Sequence, residues 1–168
     1  MGFKKHKANA PKKLDVGIIT VSSTRSIAED KSGQWISKRA KKEGHTLVLH
    51  RVVPDETEII TQTLHETIRD YGAQVILVTG GTGISNKDVT IEAIRPFFKK
   101  ELTAFGPIFA QLSFEQIDSA ALLSRATAGV IGTTIVFCMP GSLKACKLAC
   151  KALIFPELGH IVKHIHEN

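Results

Sequence analysis

One tryptophan, one tyrosine and three cysteines are all that 168 residues hold of those types, and each scarcity removes a class of function. Single-strand nucleic-acid binders stack bases on aromatic side chains interleaved with basic ones, and no such stripe occurs. A disulfide framework needs a dense, even cysteine set in an exported chain. Cys138, Cys146 and Cys150 are odd in number and sparse, so reduced thiols in a core are expected. The longest apolar stretches, such as Val16–Val21 and Val75–Val78, fall far short of the roughly 18–20 residues that span a bilayer, so no membrane partner is expected. Met1–Lys13 is basic but has no Arg, no Ser and no apolar core. It matches neither a secretory signal nor a transit peptide, and the expected location is cytoplasmic. No G-x-S-x-G elbow and no H-E-x-x-H helix is present, which disfavours hydrolysis through a triad or a zincin site.

What remains reads as one folded domain, with 43% apolar and 23% charged residues, close to the averages for globular proteins. The net charge is +6, but Lys4, Lys5, Lys7, Lys12 and Lys13 supply five of those charges in a stretch without acids, and the other 17 basic residues nearly match the 16 acidic ones. Residues 1–13 are therefore expected to be a basic flexible tail and 14–168 a near-neutral domain, with nucleic acid a disfavoured partner.

Short β-branched runs alternate with segments of helical period, the pattern of βαβ units and a mostly parallel sheet. Expected strands are Leu14–Ser22, Thr46–Val53, Ala73–Thr79 and Thr133–Met139. Expected helices are Ser32–Glu43, Glu56–Tyr71, Asp88–Phe98, Pro107–Glu115, Ser119–Thr127, Ser142–Ile154 and Pro156–Asn168. Gly129–Gly132 reads as a turn. The fold class is α/β, a three-layer α/β/α domain. In such sheets ligands collect beyond the carboxyl ends of the strands, and every chemically unusual segment falls at such an end, which implies a single functional face.

Thr79-Gly80-Gly81-Thr82-Gly83 puts three glycines at one strand end, where positive φ and bare amides can cradle an anion, with Thr hydroxyls and a helix N-terminus beside them. A turn without a ligand is the alternative. Asp55 and Asp88 lie at neighbouring loops; carboxylates beside bound phosphate call for a cation such as Mg²⁺ between them. Their plainer roles would be a turn residue and a helix cap. Pro140-Gly141-Ser142 is either a helix entry or a second anion-binding edge, with Lys144 one turn inside. His160, His164 and His166 include one i, i+4 pair, open between a transition-metal pair and a solvated helix end. Without a His or Cys at these strand ends, phosphoryl or nucleotidyl transfer matches the inventory better than nucleophilic catalysis.

Six separated motifs now form a pattern: Val21-Ser22, Asp30-Lys31-Ser32-Gly33, Val53-Pro54-Asp55-Glu56, the run Thr79–Thr90, Leu123–Gly129 and Met139-Pro140-Gly141-Ser142. In order and spacing, over about residues 12–160, the chain resembles the MoaB/Mog family of molybdenum cofactor biosynthesis. Phe105–Ile117 and Met139–Cys146 draw it toward the first-named branch.

The resemblance implies a trimer or, in that branch, a dimer of trimers (a homohexamer), and adenylylation of molybdopterin by Mg-ATP. It puts the catalytic, metal-holding carboxylates at Asp55 and Asp88 and the pterin loop at Gly80–Gly83, with Ser22, Ser124, Pro140, Gly141 and Ser142 lining the site. A downstream molybdenum-insertion protein would be a further partner. Ser23 stands where many members carry Asp. In the expected reaction the terminal phosphate of molybdopterin attacks the α-phosphorus of ATP, with Lys144 or Lys87 offsetting charge. The competing readings are a catalytically silent molybdopterin-binding or scaffold protein and, more remotely, an RNA-binding protein acting through the tail.

Overall fold

The computed structural model describes residues 10–167, so most of the expected basic tail lies outside the described residues. Six strands form one sheet: β1 (Asp15–Val21), β2 (Thr46–Val53), β3 (Val75–Thr79), β4 (Lys100–Glu101), β5 (Thr127–Ile131) and β6 (Thr134–Met139). Their spatial order is β2-β1-β3-β6-β5-β4. The first four in that order are parallel, whereas β5 and β4 add an antiparallel edge. The helices are α1 (Lys31–Lys42), α2 (Thr57–Arg69), α3 (Thr90–Ile94), α4 (Phe105–Ile117), α5 (Leu143–Ala149) and α6 (Phe155–His166).

Near-continuous apolar runs make the central strands buried on both faces, and the pleat divides their side chains between two cores. Val75 and Leu77 of β3 join Val16, Ile18, Ile135 and Phe137 under α1, α4, α5 and α6. Ile76 and Val78 join Ile19, Val136 and Cys138 under α2 and α3, with Ile60, Leu64, Ile91 and Ile94 facing them. This is the expected three-layer architecture. At about 25 cal/mol per Å² of apolar surface, each fully buried Ile or Leu contributes about 2 kcal/mol. Helix α1 starts where Asp30 accepts the Gly33 amide and ends in Arg39, Lys41 and Lys42 before Gly44, so both ends suit the helix dipole.

Four expectations are corrected. Thr127 and Gly129 belong to β5, not to a helix and a turn, and Gly132 and Thr133 turn the chain into β6. Gly129 hides the strand: a Cβ there would meet the Phe98 ring at 2.3 Å, so only glycine permits this close approach. The helix expected over Asp88–Phe98 is only α3 followed by a 3-10 turn at Arg95–Phe97, where Pro96 ends the α ladder. The Ser119–Thr127 helix is a 3-10 segment, Asp118–Leu123, and α4 begins at Phe105, ahead of the expected start at Pro107. A π turn over Cys150–Ile154 joins α5 to α6 ahead of Pro156, which has no N–H to carry the α ladder on.

Candidate active site

Strand register puts four loops on one edge. Thr20 pairs with both Val52 and Thr79, Val21 with Val53, and Thr79 with Met139. Ser22-Ser23, Pro54-Asp55, Gly80–Gly83 and Pro140–Ser142 therefore leave the sheet at the same level. The chain turns to β2 on one side of β1 and to β3 on the other, which makes the β1/β3 crevice the topological switch point where α/β domains bind ligands.

The glycine loop is built for that crevice. Gly80 and Gly81 have φ of 88° and 63°, and a Cβ on Gly80 would lie 2.3 Å from the Val21 carbonyl oxygen. The Gly80 amide donates to Met139 O at 3.0 Å, while Thr90 donates its amide to Gly81 O and its hydroxyl to Gly80 O. The Gly81 and Thr82 amides donate to no protein group among the described residues. On the next loop Gly141 packs against Gly80, where a Cβ would come within 3.0 Å of its Cα. Ser32 donates to Gly141 O at 2.8 Å, and Ser142 caps α5 by accepting the Ala145 amide.

Both aspartates flank this loop and are held alike. Asp55 Oδ2 accepts from the Ser23 amide (2.9 Å) and hydroxyl (2.6 Å). Asp88 Oδ2 accepts from the Ser85 amide (2.9 Å) and hydroxyl (2.7 Å). Asp55 Oδ1 lies 3.3 Å from where Gly81 would carry a Cβ, and Asp88 Oδ2 lies 2.8 Å from the same point on Gly83. Those glycines are two residues apart, a span of at most about 7 Å. Asp55 Oδ1 accepts no hydrogen bond among the described residues. The Ser85 hydroxyl and amide, the Gly83 amide and the Arg125 charge hold the Asp88 carboxyl below its ordinary range, overcoming partial burial. Asp88 does not cap α3, whose N-cap is Val89 without a side-chain bond.

The other predicted residues differ in burial. Thr79 and Thr82 are buried, and the Thr79 hydroxyl donates to the Thr20 hydroxyl, 3.4 Å away. Thr20 donates in turn to Asp30 Oδ2 (2.6 Å), which also meets His50 Nε2 (2.8 Å). Burial of Asp30 raises its pKa, but His50, Thr20 and the Gly33 amide more than offset that and hold it below the ordinary value. Ser22 is half-buried and accepts the Arg25 amide, Ser124 is half-buried beside Arg125, and Lys144 is exposed on α5. The five-residue α3 is too short to supply much of the expected dipole.

Sequence reading missed Arg125. Its Nε donates to both Thr82 O and Gly83 O at 3.0 Å, and its guanidinium pairs with Glu92, clamping the loop from the start of β5. The only signal was its place in the Leu123–Gly129 motif. Burial pushes the Cys138 and Cys146 thiols up to about 12 and Cys150 upward as well, so none is a nucleophile.

Bare amides, all-oxygen side-chain donors and a switch-point crevice are what an α/β domain for an anionic, phosphate-bearing ligand would present. The chain belongs to the family described as "Probable molybdopterin binding domain", whose model matches residues 17–160. It is 45% identical to molybdenum cofactor biosynthesis protein B of Bacillus subtilis (strain 168), covering 100% of this chain and 99% of that one. It is 42% identical to a Pyrococcus furiosus protein named molybdopterin adenylyltransferase, covering 99% and 100%. A solved structure, "Crystal structure of Molybdenum cofactor biosynthesis protein B", superposes with a TM-score of 0.91 at 43% identity, covering 95% of this chain and 100% of that one.

Proposed function

We propose that this chain acts in molybdenum cofactor biosynthesis as a molybdopterin adenylyltransferase, using ATP and releasing pyrophosphate. The observation that carries the reading is the pair Asp55 and Asp88, serine-braced on either side of one glycine loop at the switch point. It is supported by the relative named for that activity, matched over nearly the whole of both chains. The terminal phosphate oxygen of molybdopterin forms a bond to the α-phosphorus of ATP as the bond to the pyrophosphate oxygen breaks. That nucleophile is already an anion near neutral pH, so no general base is needed, in keeping with a crevice whose thiols are buried and unreactive.

Mg²⁺ fits the donors at hand. Among the described residues no three His, Cys, Asp or Glu side chains form a metal cluster, and Mg²⁺ is ordinarily held by one or two carboxylates, with phosphates and waters completing its octahedron. Asp55 and Asp88 would hold it, and it would supply charge neutralisation to the triphosphate. The Gly81 and Thr82 amides orient the pterin or its phosphate, Arg125 keeps their loop in place, and Lys144 or Lys87 balances charge at the rim. A catalytically silent scaffold would need none of the carboxylate bracing.

The chain is further proposed to work in the cytoplasm as a homo-oligomer, a trimer or a dimer of trimers, handing its product to a molybdenum-insertion protein. Phe114, Ile117, Leu122 and Leu123, between 43% and 84% exposed on α4 and the following 3-10 segment, support assembly, since such contiguous apolar surface marks an interface. Among the described residues no helix is long and apolar enough to cross a membrane. Incubation with molybdopterin, Mg²⁺ and ATP, with mass detection of adenylylated pterin, tests the reading. Product is expected from the unaltered chain, and Asp88→Asn should abolish turnover while pterin binding persists. Absence of product from the unaltered chain despite pterin binding would establish the scaffold instead.

A further inference from the structure

Charge is spread unevenly over the domain. Lys31, Lys38 and Lys42 of α1, Lys144 and Lys147 of α5 and Lys151 of the π turn lie on two stretches, Lys31–Lys42 and Leu143–Ile154, that contain no acid. None of the six has a carboxylate partner among the described residues. From residue 14 onward, where 17 basic residues face 16 acidic ones, setting these six apart leaves 11 against 16. At 3.6 residues per turn, Lys31, Trp35, Lys38 and Lys42 share one stripe of α1. The second stripe runs beside it: the Lys147 and Lys151 ammonium nitrogens each lie 5.9 Å from the Trp35 ring centre, a cation–π arrangement.

Both stripes start at the crevice. The Ser32 hydroxyl, next to Lys31, donates to Gly141 O at 2.8 Å, Ser142 caps α5, and Gly141 packs on Gly80 of the glycine loop. Lys31 and Arg25 line a cleft of about 270 Å³ there with Ser142 and Glu29, and Glu29 is occupied by the Ser26 amide and hydroxyl. The crevice itself presents the opposite sign. Asp55 and Asp88 flank its loop, and the Arg125 charge is paired with Glu92. An incoming phosphate-bearing anion is repelled by those carboxylates until a cation bridges them, so its approach needs positive potential from elsewhere. We infer that the lysine face of α1, α5 and the π turn is a capture surface that steers the anionic pterin and nucleotide to the crevice at its Gly141 end, without holding them in a fixed site. This rests on molybdopterin and ATP being the substrates. Lysine suits the task, because its hydrated, flexible point charge attracts at a distance without the fixed fork of arginine. Potentials of this kind raise association rates about 10- to 1,000-fold. The α1 stripe is about 16 Å long, within the Debye length of about 30 Å at 0.01 M salt and well beyond that of about 3 Å at 1 M.

Stopped-flow measurement of anaerobic molybdopterin association with the untagged full chain, followed by pterin fluorescence between about 0.01 and 1 M salt, tests this. The test variant combines Lys38→Gln, Lys42→Gln, Lys147→Gln and Lys151→Gln, all beyond the first turn of their helices. A control of equal net charge combines Lys12→Gln, Lys13→Gln, Lys99→Gln and Lys100→Gln. At the lowest salt the test variant should associate about 10-fold more slowly than the unaltered chain, with an unchanged dissociation rate and circular dichroism spectrum. The control should lose little, and all three proteins should converge at 1 M salt. An unchanged association rate in the test variant would overturn the proposal. So would an equal fall in the control, since net charge and not the lysine face would then be responsible, or a fall that persists at 1 M salt, the mark of direct contact. Adenylyl transfer is read separately. Salt-dependent capture without product leaves this inference standing and removes the transferase, whereas product with salt-independent capture does the reverse.

Discussion

Replacing Arg125 by Ala should cost more in activity than its place outside the crevice implies. Its Nε is shared between the Thr82 and Gly83 carbonyls, both at 3.0 Å, and the rest of the guanidinium is paired with Glu92. Each carbonyl left to find water costs about 1 kcal/mol. The Glu92 pair adds about 0–1 kcal/mol, because its side chains are 35% and 55% exposed and solvent screens them. Together this is about 2–3 kcal/mol, or a fall in Tm of roughly 4–12 °C for a domain of this size. If the clamp also orders the Gly81 and Thr82 amides in the transition state, losing about 1–2 kcal/mol there lowers kcat/KM by roughly 5- to 30-fold. Arg125→Lys separates the two roles: it keeps a positive charge near Asp88 but has no fork to span two carbonyls. The lysine variant should regain part of the Tm and little of the kcat/KM. The assay is adenylyl transfer over a range of pterin concentrations, beside thermal unfolding of all three proteins. Unchanged kcat/KM in Arg125→Ala, or full recovery of kcat/KM in Arg125→Lys, would refute the clamp and leave the loop ordered by its own turn.

Two further outcomes are expected. Because hydrogen bonds hold Asp30 below its ordinary value of 3.8, its stabilisation is complete above that pH and is lost as pH falls through the lower folded value. Urea unfolding of Asp30→Asn should therefore show about 2–4 kcal/mol less stability at neutral pH and a shallower loss below 3.8 than the unaltered chain; parallel pH profiles would contradict this. Leu122→Glu, at a side chain 84% exposed, should shift the sedimentation coefficient toward a smaller species with little change in helix content. An unaltered assembly would place the interface elsewhere.

The sequence alone determined the parallel half of the sheet. Short β-branched runs at β1 and β3, and the Leu47, Leu49 and Val52 pattern of β2, each closed by turn residues, are local signals too short for helices. They also put Asp55, the glycine loop and Pro140-Gly141-Ser142 at strand ends, because a loop's place at its strand end is a matter of chain order. The edge strands were illegible because their signal is not local: β4 is two residues long, and β5 carries Gly129, a poor strand former kept by the Phe98 ring packed on it. Tertiary structure also decided where polar groups at the strand ends sit. Thr79 reads as a ligand hydroxyl, yet at the end of β3 it is buried and donates to Thr20. Asp30 and His50 are 20 residues apart, and Arg125 is 43 residues from Thr82. Such contacts depend on sheet order and loop packing, which bring distant segments together, whereas periodicity and turn chemistry report only on neighbours along the chain.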